Sequence, residues 1–337
     1  MPRRLQRRFR IIAATVIGLL SVTALAATIA TTPASAQQYP SRTVTIIVPY
    51  PAGGPADESA RTLAQFLSDK LKQNFIVEDV AGGNTIVGME KVARSTADGT
   101  TLLFANLQIS ANVTLYKSLP FDTVKDFVPV MLVNRNPLIL AGRTTLEPKT
   151  LPELTALMKK QRLKAAIPGY GATGHLATAL FAQEAGVKLD LIPYRGAAPA
   201  ITDLLGGHVD LFFGTPQSFV QQVAAGSLRD YGITAANKLP EFPNAESLSK
   251  MLGPKLDVVY WQAIFAPAGT PDAVITTLNS ALQQAVADPA IVKNWAAQDV
   301  SAFPPDQRSP AAATAFLKSE ITRWGQVIRD NNIHVEQ

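Results

Sequence analysis

The sequence predicts an α/β protein of two lobes, each a doubly wound sheet, with a ligand cleft between them. Three observations carry this expectation. Short β-branched runs alternate with helical periodicity through most of the 337 residues. The alternation breaks near Phe127 to Gly142, where two extended runs flank Asn134-Arg135-Asn136-Pro137, and then restarts. A late extended run, Val258 to Ala266, is followed only by helical segments. Strands that alternate with helices form parallel sheets covered on both faces.

Val44 to Val48 (VTIIV) reads as a strand buried on both sides, because it is apolar without alternation. Over Asp57 to Lys72, Ala60, Leu63, Ala64, Leu67 and Leu71 recur at helical spacing. A strand at Phe75 to Val77, a helix around Val87 to Ser95 and a strand at Thr101 to Phe104 complete a βαβαβ unit. After the break, Thr150-Leu151-Pro152-Glu153 is a capping box that opens a helix to about Lys160. Strands at Lys164 to Ile167, Leu189 to Pro193, Val209 to Phe213 and Arg229 to Ile233 alternate with helices at Thr173 to Ala185, Ala197 to Leu205 and from Gln217. The last helices fill Pro271 to Val286, Pro289 to Ala297 and Ala311 to Asn331. The expected organisation is lobe one at 37–137 plus 259–337 and lobe two at 138–258. Ligands of open α/β sheets sit at the carboxyl ends of the strands, beside helix N-termini.

Residues 1–36 are expected to be removed. Five arginines and no acid fill the first ten positions, an apolar stretch follows, and Ala34-Ser35-Ala36 ends it. That is the order of a secretory signal, with cleavage after Ala36 and a periplasmic destination. The alternative is an uncleaved anchor, against which the many Ala and Thr residues count. Arg7-Arg8 leaves the twin-arginine route open beside the general one. The whole chain carries 31 basic and 26 acidic residues, a net charge of +5. Past residue 36 there are 26 of each, so the excess belongs to the signal and gives no support for a nucleic-acid partner. With no cysteine there is no disulfide, thiolate metal site or lipid-modified start.

Four glycine-bearing segments follow strands. Pro49-Tyr50-Pro51-Ala52-Gly53-Gly54-Pro55-Ala56-Asp57 places flexible backbone and unpaired helix amides together, which suits an anion; its plainer reading is a tight turn capped by Asp57. Ala81-Gly82-Gly83-Asn84-Thr85 repeats that logic but lacks the spacing of a dinucleotide fingerprint. Pro168-Gly169-Tyr170-Gly171-Ala172-Thr173-Gly174-His175 offers a hydroxyl at a helix start, or a plain N-cap at Thr173, with His175 equally a structural histidine. Tyr194-Arg195-Gly196 precedes a run ending in Gly206-Gly207 and Asp210; Arg195 is either a partner for a carboxylate or a solvated side chain. There is no G-x-S-x-G elbow, no H-E-x-x-H and no P-loop, and the three histidines (His175, His208, His334) make no nucleophile–base pair. The expectation is binding without catalysis, with no cofactor and no metal.

Taken together, these segments resemble the Bug-type solute-binding proteins of the tripartite tricarboxylate transporters. Pro49 to Asp57 matches P-[FY]-x-x-G-G-x-x-D, and Tyr194 to Asp210 matches Y-[KR]-G-x-x-x-A-x-x-D-L-x-G-G-x-V-D. Ala97-Asp98-Gly99-Thr100-Thr101-Leu102, Gly174-His175-Leu176 and Trp261 with Phe265-Ala266-Pro267-Ala268-Gly269-Thr270-Pro271 fit as well. Asn84-Thr85 stand where the family commonly has glycines, and Ala263 replaces another. The resemblance implies a two-lobed periplasmic-binding-protein fold, a monomer that closes on a small carboxylate and delivers it to integral-membrane transporter subunits. The same lobes would equally serve a sensor kinase. It implies ligand contact at Tyr50, Ala52, Gly53 and Asp57, and at Gly171, Ala172, Thr173 and His175, with Asp210 near the cleft. Tyr170 and Phe213 would stack on an aromatic ligand, which leaves aromatic acids open beside aliphatic di- and tricarboxylates.

Overall fold

A computed structural model describes residues 39–335. The expected signal and its cleavage point lie outside the described residues. Two six-stranded sheets organise the chain.

The first half of sheet one follows the expected order in β1 (Val44–Val48), α1 (Pro55–Leu71), β2 (Phe75–Asp79), α2 (Ile86–Ala93) and β3 (Thr101–Asn106), and adds a helix the sequence reading did not expect, α3 (Gln108–Leu115). β1 lies between β2 and β3 and is parallel to both. Val44, Ile46, Ile47 and Val48 are wholly buried, as a strand covered on two faces requires. α1 turns Ala60, Leu63, Ala64 and Leu67 into the core at the spacing read from the sequence. β4 (Phe127–Pro137) then runs unbroken to Pro137. The break expected there is one residue, Leu138, before β5 (Ile139–Arg143) begins sheet two.

Sheet two holds β5, α4 (Leu151–Met158), β6 (Leu163–Ile167), α5 (Thr173–Ala185), β7 (Leu189–Pro193), α6 (Ala197–Leu205), β8 (Leu211–Gly214), α7 (Val220–Ala224), β9 (Leu228–Ile233), β10 (Glu246–Ser247) and α8 (Leu248–Leu252). The capping box is present: the Thr150 hydroxyl accepts from Glu153 N, and Glu153 reaches back to the Thr150 amide. The chain returns to sheet one as β11 (Val259–Pro267), then α9 (Asp272–Ala285), α10 (Pro289–Ala296), β12 (Ser301–Ala302) and α11 (Pro310–Asp330).

Neither sheet is wholly parallel. The orders are β12-β4-β11-β3-β1-β2 and β10-β9-β5-β8-β6-β7. β11 runs against β3 and β4, and β5 against β8 and β9. These antiparallel strands are the ones by which the chain enters each sheet from the other. α11 packs on α3 and β4. There the buried Glu320 carboxylate accepts from the indoles of Trp261 (2.7 Å) and Trp324 (2.8 Å). The two passages between sheets are fastened to one another. The buried Thr234 hydroxyl accepts from Leu138 N (2.8 Å) and donates to Val258 O (2.5 Å), and Thr234 N donates to Leu138 O (2.9 Å). Among the described residues, no helix is long and apolar enough to cross a membrane.

Candidate functional site

The carboxyl ends of the parallel strands of both sheets meet along one seam, and the glycine-bearing segments line it. On the sheet-one side, Tyr50 follows β1. Its phenol oxygen accepts from Asn106 N (3.1 Å) at the end of β3. Tyr260 of β11 accepts from Asn106 Nδ2 (3.4 Å) and Gln262 Nε2 (3.1 Å). Burial lifts Tyr50 well above the ordinary phenol range, with Tyr260 adding to the effect, and burial lifts Tyr260 too. Both stay neutral. Each accepts in these bonds, which leaves its own proton to donate. This floor therefore offers oriented neutral donors.

Loop one, residues 49–54 between β1 and α1, is held by a carboxylate of the helix it leads into. Asp57 accepts from Gly53 N (2.8 Å) and pairs with Arg61 (2.6 Å), which also holds Asp79 (2.8 Å). Burial and the neighbouring Asp57 carboxylate raise Asp79 above its usual range. The first turn of α1 carries Asp57 and Glu58. The positive end of that helix is thus already met by negative charge.

Loop three, between β6 and α5, is the opposite case. The first intrahelical bond of α5 is Leu176 N to Ala172 O (3.0 Å), so the amides of Thr173, Gly174 and His175 stand ahead of it. The first turn holds no acid. Thr173 is the first helical residue and Ala172 occupies the cap position, so the N-cap expected of Thr173 is not formed. Its hydroxyl is buried and has no hydrogen-bond partner among the described residues. A buried hydroxyl without a partner is costly, and here it stands beside three free amides. The His175 ring is buried, and its Nδ1 accepts from Gly171 N (3.0 Å), which puts the ring proton on Nε2. Burial pushes its pKa down to about 4, so it is neutral at pH 7. Gly171 takes φ +69°, a backbone conformation that favours glycine, and a Cβ there would come 2.9 Å from Leu115 Cδ2 of α3.

Loop two, residues 80–85 between β2 and α2, reaches across the seam. Asn84, at φ 51° and ψ 51°, donates from Nδ2 to Tyr170 O (2.7 Å). Gln108 Nε2 donates to Asn84 Oδ1 (3.0 Å) and to the same Tyr170 carbonyl (3.3 Å). Asn136 Nδ2 donates to Gln217 Oε1 (3.0 Å), a second polar link between the sheets.

One open helix start, at α5, and a floor of neutral donors describe a site that binds. The model of a family described as "Tripartite tricarboxylate transporter family receptor" (TctC) matches residues 59–333. The chain belongs to this family. Protein BugT of Bordetella pertussis is 33% identical over 319 residues, covering 94% of this chain and 96% of that one. The solved structure of the periplasmic binding protein BugD is 30% identical with a TM-score of 0.81, covering 88% of this chain and 100% of that one. MatC from Rhodopseudomonas palustris with bound malate is 29% identical with a TM-score of 0.79, covering 86% of this chain and 100% of that one. The receptor is accordingly a two-lobed solute-binding protein and not an enzyme.

Of the expected contacts, Tyr50, Ala52, Gly53 and Asp57 lie on the sheet-one side of the seam, and Tyr170, Gly171, Ala172, Thr173 and His175 on the other. Two residues fall elsewhere. Asp210 precedes β8 at the end of sheet two away from loop three, where its carboxylate pairs with Arg143 (2.7 Å) and accepts from Lys164 N (2.8 Å). Phe213 is 1% exposed and packs edge-on against Phe181 (5.8 Å) inside the core, so it gives the receptor no shelf for an aromatic ring. Tyr170 packs edge-on against His175 (5.6 Å). Sequence reasoning missed Asn106, Gln108, Asn136, Gln217, Tyr260 and Gln262. Their signal was position alone: polar residues at the cleft ends of strands, or, for Gln108 and Gln217, in the first turn after one.

Proposed function

We propose that the receptor is a periplasmic protein that captures a small aliphatic carboxylate between its lobes and delivers it to the membrane subunits of a tripartite carrier. The lobes would exchange chain at 138 and 258, with the Thr234 clasp at the hinge. The observation that carries the proposal is the start of α5. An acid-free first turn, three amides ahead of the first helical bond and the partnerless Thr173 hydroxyl form a cradle for a carboxylate. The start of α1 is the weaker anion site, because Asp57 and Glu58 occupy its positive end. The neutral phenols and amides of the floor would hold the rest of the ligand. The malate bound by MatC supports the aliphatic class. The burial of Phe213 speaks against an aromatic one.

Thermal unfolding of the purified receptor against malate, succinate, citrate, glutamate and benzoate tests the proposal. A ligand at about 100 times its Kd adds roughly 2.7 kcal/mol and raises the midpoint by several degrees. The expected result is a clear shift with one aliphatic carboxylate. A panel without a shift, together with no carboxylate released on denaturation, would overturn it.

A further inference from the structure

We propose that the tail of α5 is the pivot on which the cradle swings, in a joint that the last helix and the second passage between the sheets build around Gln183 and Glu184. The inference rests on the lobes closing about a ligand held at the start of α5.

α5 is covered on more than one side. Ten of its 13 residues are buried, Thr173 to Phe181 and Ala185. A helix that covers one sheet buries a single stripe. This one packs on β6 and β8 of its own sheet and also on α11 of sheet one. It therefore lies between the lobes along its length, with the cradle at one end.

The other end is where sheet one grips it. Asn331 Nδ2, at the end of α11, donates to Gln183 Oε1 (3.1 Å). Lys255 Nζ, on the second passage, donates to Glu184 Oε1 (3.1 Å). Gly253 takes φ +137°, and a Cβ there would come 3.1 Å from Glu184 Oε2, so the passage runs close against the tail. The passage is itself fastened to α11. Arg323 Nη2 donates to Lys255 O (3.2 Å) and Asp257 O (2.8 Å), and its guanidinium lies over the Trp324 ring (4.8 Å). One helix of sheet one thus holds the tail directly through Asn331 and indirectly through Arg323 and Lys255.

Two fixed points define an axis. The Thr234 clasp ties the two passages together at one point, and the tail joint is a second. A rotation about the line through them leaves the tail in place and carries the start of the helix. At about 1.5 Å per residue the cradle lies up to about 20 Å from the joint, so a swing of about 20° moves it by about 7 Å. The bonds that meet the head are slighter: Asn84 and Gln108 both reach the single carbonyl of Tyr170.

The chain has no cysteine, so introduced pairs are its only thiols. Spin labels on V87C/R195C report the head and labels on K188C/R329C report the tail; all four positions are exposed. Distances between labels are read by double electron–electron resonance, without ligand and with malate or whichever acid of the panel raises the unfolding midpoint most. The head pair is expected to shorten by about 5 Å and the tail pair to stay within about 1 Å. In the receptor without ligand, Q183A/E184A is expected to broaden the distribution of the tail pair while a thermal scan shows the protein folded. A tail pair that moves as far as the head pair, a head pair that does not shorten when the acid binds, or a tail distribution unchanged by Q183A/E184A overturns the inference and leaves the carboxylate reading standing. If no acid of the panel binds, the carboxylate reading fails, and the tail distribution of Q183A/E184A alone decides the pivot.

Discussion

Replacing Thr173 by valine keeps the β-branched shape and removes only the hydroxyl, so its effects on binding and on folding separate. The Thr173 oxygen is buried and has no hydrogen-bond partner among the described residues. Leaving a hydroxyl unsatisfied costs about 1–3 kcal/mol, and valine has none to leave. T173V should therefore be at least as stable as the wild type, with a midpoint raised by about 2–4 °C per kcal/mol recovered. Binding should move the other way. A hydrogen bond to a charged group contributes about 1.5–3 kcal/mol, so the Kd for the preferred carboxylate should rise by roughly 10- to 150-fold. Titration calorimetry at fixed salt reads the affinity, and a thermal scan without ligand reads the stability. A T173V receptor that binds the carboxylate as tightly as the wild type would refute the cradle at α5. A receptor that loses stability and affinity together would show that the hydroxyl has an internal role instead.

Three other outcomes follow from the same geometry. Thr234→Val strands the buried Leu138 amide and Val258 carbonyl, so urea unfolding should show a loss of about 2–4 kcal/mol; a loss under about 0.5 kcal/mol would mean the hinge clasp is not formed. Asn84→Gly removes the bonds from Asn84 to Tyr170 and Gln108 while suiting the left-handed backbone better, so stability should stay within about 1 kcal/mol while the unliganded receptor expands in X-ray scattering. An unchanged scattering profile would remove Asn84 from the lobe contact. His175 titrates at about 4 when folded and near 6.5 when unfolded. Between those values the unfolded chain binds the extra proton, so the stability from the neutral ring is complete above pH 6.5 and is lost as pH falls toward 4, by about 3 kcal/mol in all. Subtracting the pH–stability curve of His175→Gln should isolate that slope; identical curves would contradict the buried neutral ring.

Legibility in the sequence followed the kind of burial. β1 and α1 were readable because apolar residues fill the buried positions of β1 and, beyond Asp57 and Ser59 in its first turns, those of α1. α3 left no such signal. Its buried face includes Gln108 and Asn112, which bond to loop two, and Ser110, which bonds to Leu107 O in its own turn, so the helix lacks an apolar stripe. β10 and β12 are two residues each, too short for any period. Within the site, the glycine segments announced the loops, while the division of labour between them depended on facts that spacing does not carry. Asp57 and Thr173 look alike as polar residues near helix starts. The fold sends one back to Gly53 and Arg61 and leaves the other without a partner. Asp210 and Phe213 were misplaced because the sequence marks a strand without saying which of its ends meets the opposite lobe, or which face the core takes.

The most direct measurement is a crystal structure of the receptor with the carboxylate that stabilises it most. A carboxylate oxygen is predicted about 2.6–3.0 Å from Thr173 Oγ1 and within hydrogen-bond distance of the amides that open α5. A carboxylate seated at the start of α1, with the Thr173 hydroxyl still unpaired, would contradict the account.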